Sequence, residues 1–152
     1  MDKTRENAQT ASGIVALFNA SDDTIDMVQK LLTNSGRDQT LIWCHFADLR
    51  KGIVNFDEYI HNHNPEVVIF DLSPPYDENW QFFKTMRDST LMNGRGIVLT
   101  TTNKDRLDEV LGRDSKALEV VGKIEDLQQI DAAIAFETKR ADAFRAVATS
   151  KA

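Results

Sequence analysis

The stretch Pro65-Glu66-Val67-Val68-Ile69-Phe70-Asp71-Leu72-Ser73-Pro74-Pro75 decides how the rest of the chain is read. Val67 to Phe70 is a continuous apolar run, the pattern of a strand buried on both faces of a parallel sheet. Asp71 ends the run, and Pro74 and Pro75 break the chain after it. Upstream, Ile14-Val15-Ala16-Leu17-Phe18 and Leu41 to Phe46 read as strands one and two. Downstream, Gly96 to Thr101 (GIVLTT) and Leu118 to Val121 read as strands four and five.

Helical spacing fills the gaps between these runs. Ser21-Asp22-Asp23-Thr24 is a helix start, with a capping residue and acids at the positive end of the dipole. Ile25, Val28, Leu31 and Leu32 follow at helical spacing, and Asn34-Ser35-Gly36 is the stop. Phe56, Tyr59 and Ile60 mark a second helix ending before Pro65. Trp80, Phe83 and Met86 or Arg87 lie along one side of a third. A fourth runs from about Asn103 to Leu111, where Gly112 stops it. The last begins near Glu125, with Leu127, Ile130, Ile134 and Phe136 expected to face inward. Five strands alternating with five helices predict a doubly wound α/β domain with a five-stranded parallel sheet. Residues 1–12 are polar and small and are expected to form a flexible arm, with the domain spanning 13–141. Residues 142–152, poor in apolar anchors, are expected to be a helix end or a frayed tail.

Composition narrows the function classes. The chain has 152 residues, room for one domain with a proper core. Asp and Glu number 24 against 18 Lys and Arg, and a net charge of −6 argues against a nucleic-acid phosphate surface as partner. Cys44 is the only cysteine, so an intramolecular disulfide and a thiolate metal cluster are excluded, and its place within a strand suggests inert core. No apolar run reaches the roughly 20 residues of a membrane helix, and the opening residues lack a secretory apolar segment. The expectation is a cytoplasmic, soluble domain without membrane contact.

In doubly wound sheets the chemistry gathers where the loops converge, at the carboxyl ends of the strands. There this chain has Asn19 after strand one, Asp71 and Ser73 after strand three, Thr100 in strand four and Lys123 after strand five. A carboxylate oxygen at such a place can attack a phosphoryl donor. An ammonium and a hydroxyl can then stabilise the new phosphoryl oxygens. Other features argue for less. His61 and His63 are too few for a closed metal site and suit a helix C-terminus. Gly94-Arg95-Gly96 precedes a strand, where a phosphate loop would link strand to helix.

The segment Pro65 to Pro75 resembles the third strand of response-regulator receiver domains, in which an aspartate ends the strand and a proline follows four residues later, as Pro75 does. Ile97-Val98-Leu99-Thr100 is similar to the strand carrying that family's switch hydroxyl, and Val120-Val121-Gly122-Lys123 to the one carrying its lysine. The likeness spans roughly Ile14 to Ala141. It implies the flavodoxin-like receiver architecture, with Asp71 as phosphoacceptor, Thr100 as switch residue and Lys123 as the phosphate-contacting cation. Asn19, Asp71 and Ser73 then stand at the positions for Mg²⁺. It also implies a histidine kinase or other signalling protein as partner, and no catalysis beyond self-phosphorylation and dephosphorylation at Asp71. Homodimers or partner contacts would use the face formed by Leu107 to Leu111, Ala117 to Val121 and Glu125 to Arg140.

Three departures qualify this. Phe18-Asn19 stands where the family has two acids, which should greatly weaken Mg²⁺ binding. Ile124 follows Lys123 in place of the usual proline, and Val120 replaces the usual switch aromatic. The expectation is therefore an atypical, stand-alone receiver of a two-component or phosphorelay system with Asp71 as candidate phosphoacceptor. Its alternative is a phosphorylation-independent pseudo-receiver acting as a protein-interaction module.

Overall fold

The computed structural model describes residues 13–120 and 124–151, with side chains through residue 148. Five strands form one all-parallel sheet in the order β2-β1-β3-β4-β5. These are β1 (Ile14–Asn19), β2 (Thr40–His45), β3 (Val67–Leu72), β4 (Gly96–Thr101) and β5 (Leu118–Glu119). Among the described residues six α-helices connect and flank them: α1 (Asp22–Asn34), α2 (Phe46–Arg50), α3 (Phe56–His63), α4 (Tyr76–Arg87), α5 (Lys104–Leu111) and α6 (Ile124–Lys151). This is the doubly wound, flavodoxin-like α/β fold.

Strand period sorts the core into two layers. Phe18, Val68, Phe70, Leu72 and Leu99 pack with Ile60, Trp80, Phe83, Met86 and Leu107. Val15, Leu17, Val67, Ile69 and Val98 pack on the other face with Val28 and Leu32 of α1 and Ile130 and Ile134 of α6. β3, at the centre, is buried at all six positions, which is why it reads as an uninterrupted apolar run.

Two local expectations are corrected. Phe46 opens a helix instead of closing β2, and α2, a helix of five residues, shows no periodicity to betray it. Phe136 is 66% exposed, because Ile130 and Ile134 already fill the inward line of α6. The last helix continues to Lys151, through residues expected to be a helix end or a frayed tail. Charge and shape hold that extension. The Arg145 guanidinium lies 3.5 Å from the buried Glu66 carboxylate, and the Phe144 ring rests against Gly94. Beside them, Glu137 Oε1 accepts a hydrogen bond of 2.9 Å from the Ile97 N–H of β4. Gly96 lets α6 come this close, since a Cβ there would fall 2.5 Å from Glu137 Cβ and 3.0 Å from its carbonyl oxygen.

Candidate functional site

Strand period also decides which end residues meet. On β3, Asp71 continues the line of Val67 and Ile69, so its side chain leaves the sheet on the α1 and α6 face. Thr100 continues the line of Val98 on β4 and pairs with Asp71 in register. Asn19 follows Leu17 on β1. Phe18 leaves on the opposite face, where it meets Phe70, Tyr59 and Phe56 at centroid distances of 5.4, 5.4 and 5.9 Å. An aromatic at position 18 is thus core material.

Asp71 has no exposed surface, and both its carboxylate oxygens are engaged. Thr100 Oγ1 donates to Oδ1 at 2.8 Å. The Ala20 N–H donates to Oδ2 at 3.0 Å, and Thr24 Oγ1 donates to the same oxygen at 3.1 Å. Ala20 and Thr24 flank the start of α1, so the carboxylate lies at the positive end of that helix. Burial nevertheless pushes the Asp71 pKa up, outweighing the lowering by its hydrogen bonds to Ala20, Thr100 and Thr24. Thr24 was not singled out by the sequence, although it begins the line Thr24, Val28, Leu32 along the buried side of α1. A polar residue at a core position of an amphipathic helix was the available signal.

Asn19 is 1% exposed. Its Nδ2 donates to the Ser21 carbonyl at 2.9 Å and to His45 Nδ1 at 3.2 Å, while its Oδ1 has no partner among the described residues. Ser73 contributes a carbonyl that accepts from Asn79 Nδ2 at 2.7 Å. Asn79 is held in turn by Arg50, whose Nη1 donates to Asn79 Oδ1 at 2.8 Å and whose Nη2 pairs with Glu78 at 3.1 Å. Like Thr24, Asn79 is a polar residue on the buried side of its helix. The Lys123 position lies outside the described residues.

The structure thus brings Asp71 and Thr100 together, with Asn19 on the adjoining strand and the Ser73 carbonyl two residues beyond Asp71. As a donor set for Mg²⁺ these residues fit poorly. A hard dication favours several oxygens, carboxylates among them, in octahedral array. The set holds one carboxylate, fully buried and already accepting three hydrogen bonds, and its Ser73 carbonyl is bonded to an amide. Asp22, close in sequence, is turned outward, with Oδ1 3.9 Å from His45 Nε2 and a side chain 84% exposed. Among the described residues no three His, Cys, Asp or Glu side chains converge. Cys44, half-buried, has its thiol pKa pushed up to about 12 by burial and then by the Asp48 charge, which disfavours a thiolate. Among the described residues no helix is long and apolar enough to cross a membrane. No protein-family model, curated protein or solved structure matches the chain.

Proposed function

We propose that this chain is a receiver-like signalling module that works as a protein-interaction domain without phosphoryl transfer. Asp71 is then an internal anchor joining β3 to the β1–α1 turn, to α1 and to β4. The burial of Asp71 carries this reading: in-line attack needs a free carboxylate oxygen facing the donor, and here both oxygens are spent on protein hydrogen bonds. Phe18 within the aromatic core and the poor Mg²⁺ donor set support it, because phosphoryl transfer leans heavily on a metal to neutralise oxygen charge.

Contact with a signalling partner, or with a second copy, would use the face of α5, β5 and α6. Leu107 and Ala117 there belong to the core, while Val110 at 39% and Phe136 at 66% exposure are free for contact. A cytoplasmic setting belongs to the same proposal.

One observation favours the second reading, in which Asp71 accepts phosphate. Thr100 Oγ1 sits 2.8 Å from Asp71 Oδ1, where a switch hydroxyl would follow a phosphoryl group. Incubation with acetyl phosphate and Mg²⁺, followed by intact-mass spectrometry, separates the two. The interaction reading expects no acyl phosphate, and partner affinity unchanged in Asp71→Asn. A phosphorylated species that disappears in Asp71→Asn would overturn it.

A further inference from the structure

At the end of the sheet away from Asp71, the last turns of α6 pass over the start of β4 and enclose a cleft of about 620 Å³. Gly96 opens β4 at this end, four residues before Thr100, so the two regions lie roughly 13 Å apart along the strand. Arg87, Arg95 and Arg140 line the cleft beside Phe144 and Val147, and among the described residues no Asp or Glu does. Three arginines on one cleft stand out in a chain of net charge −6, and carboxylates beside it balance two of them.

The three arginines are not equally satisfied. Arg87 pairs with Asp88 at 3.0 Å, and Arg140 with Glu137 at 2.9 Å. Arg95 donates only to uncharged oxygens: Nε to the Leu91 carbonyl at 2.7 Å, and Nη1 to Asn64 Oδ1 at 2.8 Å and the Pro65 carbonyl at 2.7 Å. Among the described residues its half-buried charge has no carboxylate, and Nη2 has no hydrogen-bond acceptor. Burial first, then the nearby Arg145 charge, pulls its pKa down, as expected for a cation lacking a counter-ion. Phe144 supplies an apolar plane. Its ring lies so close to Gly94 that a Cβ there would come within 2.4 Å of it, yet the residue remains 52% exposed.

We propose that this cleft binds a small phosphate ester with a planar apolar body, of which a nucleoside monophosphate is the simplest case. The phosphate is held by Arg95 and Arg140 with Arg87 at the rim, and the ring packs against Phe144. Each guanidinium keeps one terminal nitrogen outside its hydrogen bonds to the described residues, Nη2 of Arg95 and Nη1 of Arg140 and of Arg87, and three such charged donors suit a group carrying about two negative charges. The volume falls within the roughly 300–1,000 Å³ of small-molecule sites. Recognition comes from side chains, in keeping with Gly94-Arg95-Gly96 not linking a strand to a helix. The proposal is independent of what Asp71 does.

The test is calorimetric titration of the full chain with AMP at low ionic strength, with adenosine and inorganic phosphate in parallel. Saturable binding of one AMP is expected, with each fragment binding at least about tenfold more weakly. Arg140→Gln and Phe144→Ser, changes at exposed positions, should each weaken AMP binding about tenfold with the circular dichroism spectrum unchanged. Arg95→Gln should abolish it, and Asp71→Asn should leave it as it was. The proposal is overturned if AMP does not saturate, if phosphate alone binds as tightly, if both exposed variants bind normally, or if Asp71→Asn removes binding.

Discussion

Two opposing effects act on the Asp71 carboxylate: desolvation disfavours its charge, while three donated hydrogen bonds and the start of α1 favour it. Burial wins and the folded-state pKa is raised, so the folded protein holds this proton more tightly than the unfolded chain does. The stabilisation from this group is therefore complete below the unfolded value of about pH 4 and is lost as pH rises through the raised folded value. An asparagine can keep the pattern, its carbonyl accepting from Ala20 and Thr24 and its amide donating to Thr100. Urea denaturation should then show Asp71→Asn matching or exceeding wild type near pH 8, with the gap closing towards about pH 4. Asp71→Ala, which leaves the buried donors unpaired, should lose about 1–3 kcal/mol throughout. Asp114 contributes in a separate window. Its hydrogen bonds to Lys104 and to the Lys116 amide hold its pKa at about 2, so its contribution is lost only as pH falls through that value. Position 18 offers a sharper outcome. Phe18→Asp restores an acid in sequence but sets it among Phe70, Tyr59 and Phe56, at a cost of about 3–5 kcal/mol for the lost ring alone. Thermal melts should show a collapse of cooperative unfolding, with no Mg²⁺-dependent recovery.

Among the elements, the three central strands were the most legible, because burial on both faces leaves an apolar run that nothing else in the chain imitates. The pairing of Asp71 with Thr100 was legible for the same reason, since strand ends follow once strands are placed. Very short helices, and polar residues on the buried side of longer ones, were not. Phe46 is as apolar as a strand residue yet opens α2, and Thr24 and Asn79 sit as polar residues at buried helix positions that an apolar count passes over. For the reach of α6 the sequence left a helix end and a frayed tail both open, because the far end is held by tertiary partners such as Glu66 and Gly94. That makes its attachment testable. Gly96→Ala drives a methyl group against Glu137 and should cost about 1–3 kcal/mol by chemical denaturation. Arg145→Ala leaves the Glu66 carboxylate, its side chain 3% exposed, with Gln39 as its remaining charge-stabilising donor. A loss of about 2 kcal/mol is expected, below the full value for a broken buried pair because Arg145 itself touches solvent.

For the whole molecule, the sheet order puts β1, β3 and β4 at the centre and leaves β2 and the two-residue β5 at the margins. Native-state hydrogen exchange should therefore be slowest in Val15–Phe18, Val67–Phe70 and Val98–Leu99, faster in β2 and fastest in β5. Uniform protection across all five strands would contradict this picture of its cooperativity. The shortness of β5 has a further consequence. It pairs only with Thr100 and Thr101, so among the described residues no strand flanks the first two-thirds of β4 on that side. A bare strand edge is a template on which another chain can add. Glu137 denies that template its first rung by taking the Ile97 N–H, and the backbone of α6 lies across the gap against Gly96. The last helix thus doubles as a guard rail, and a chain cut short before Glu137 would be prone to stack edge to edge into aggregates while its remaining core still folded.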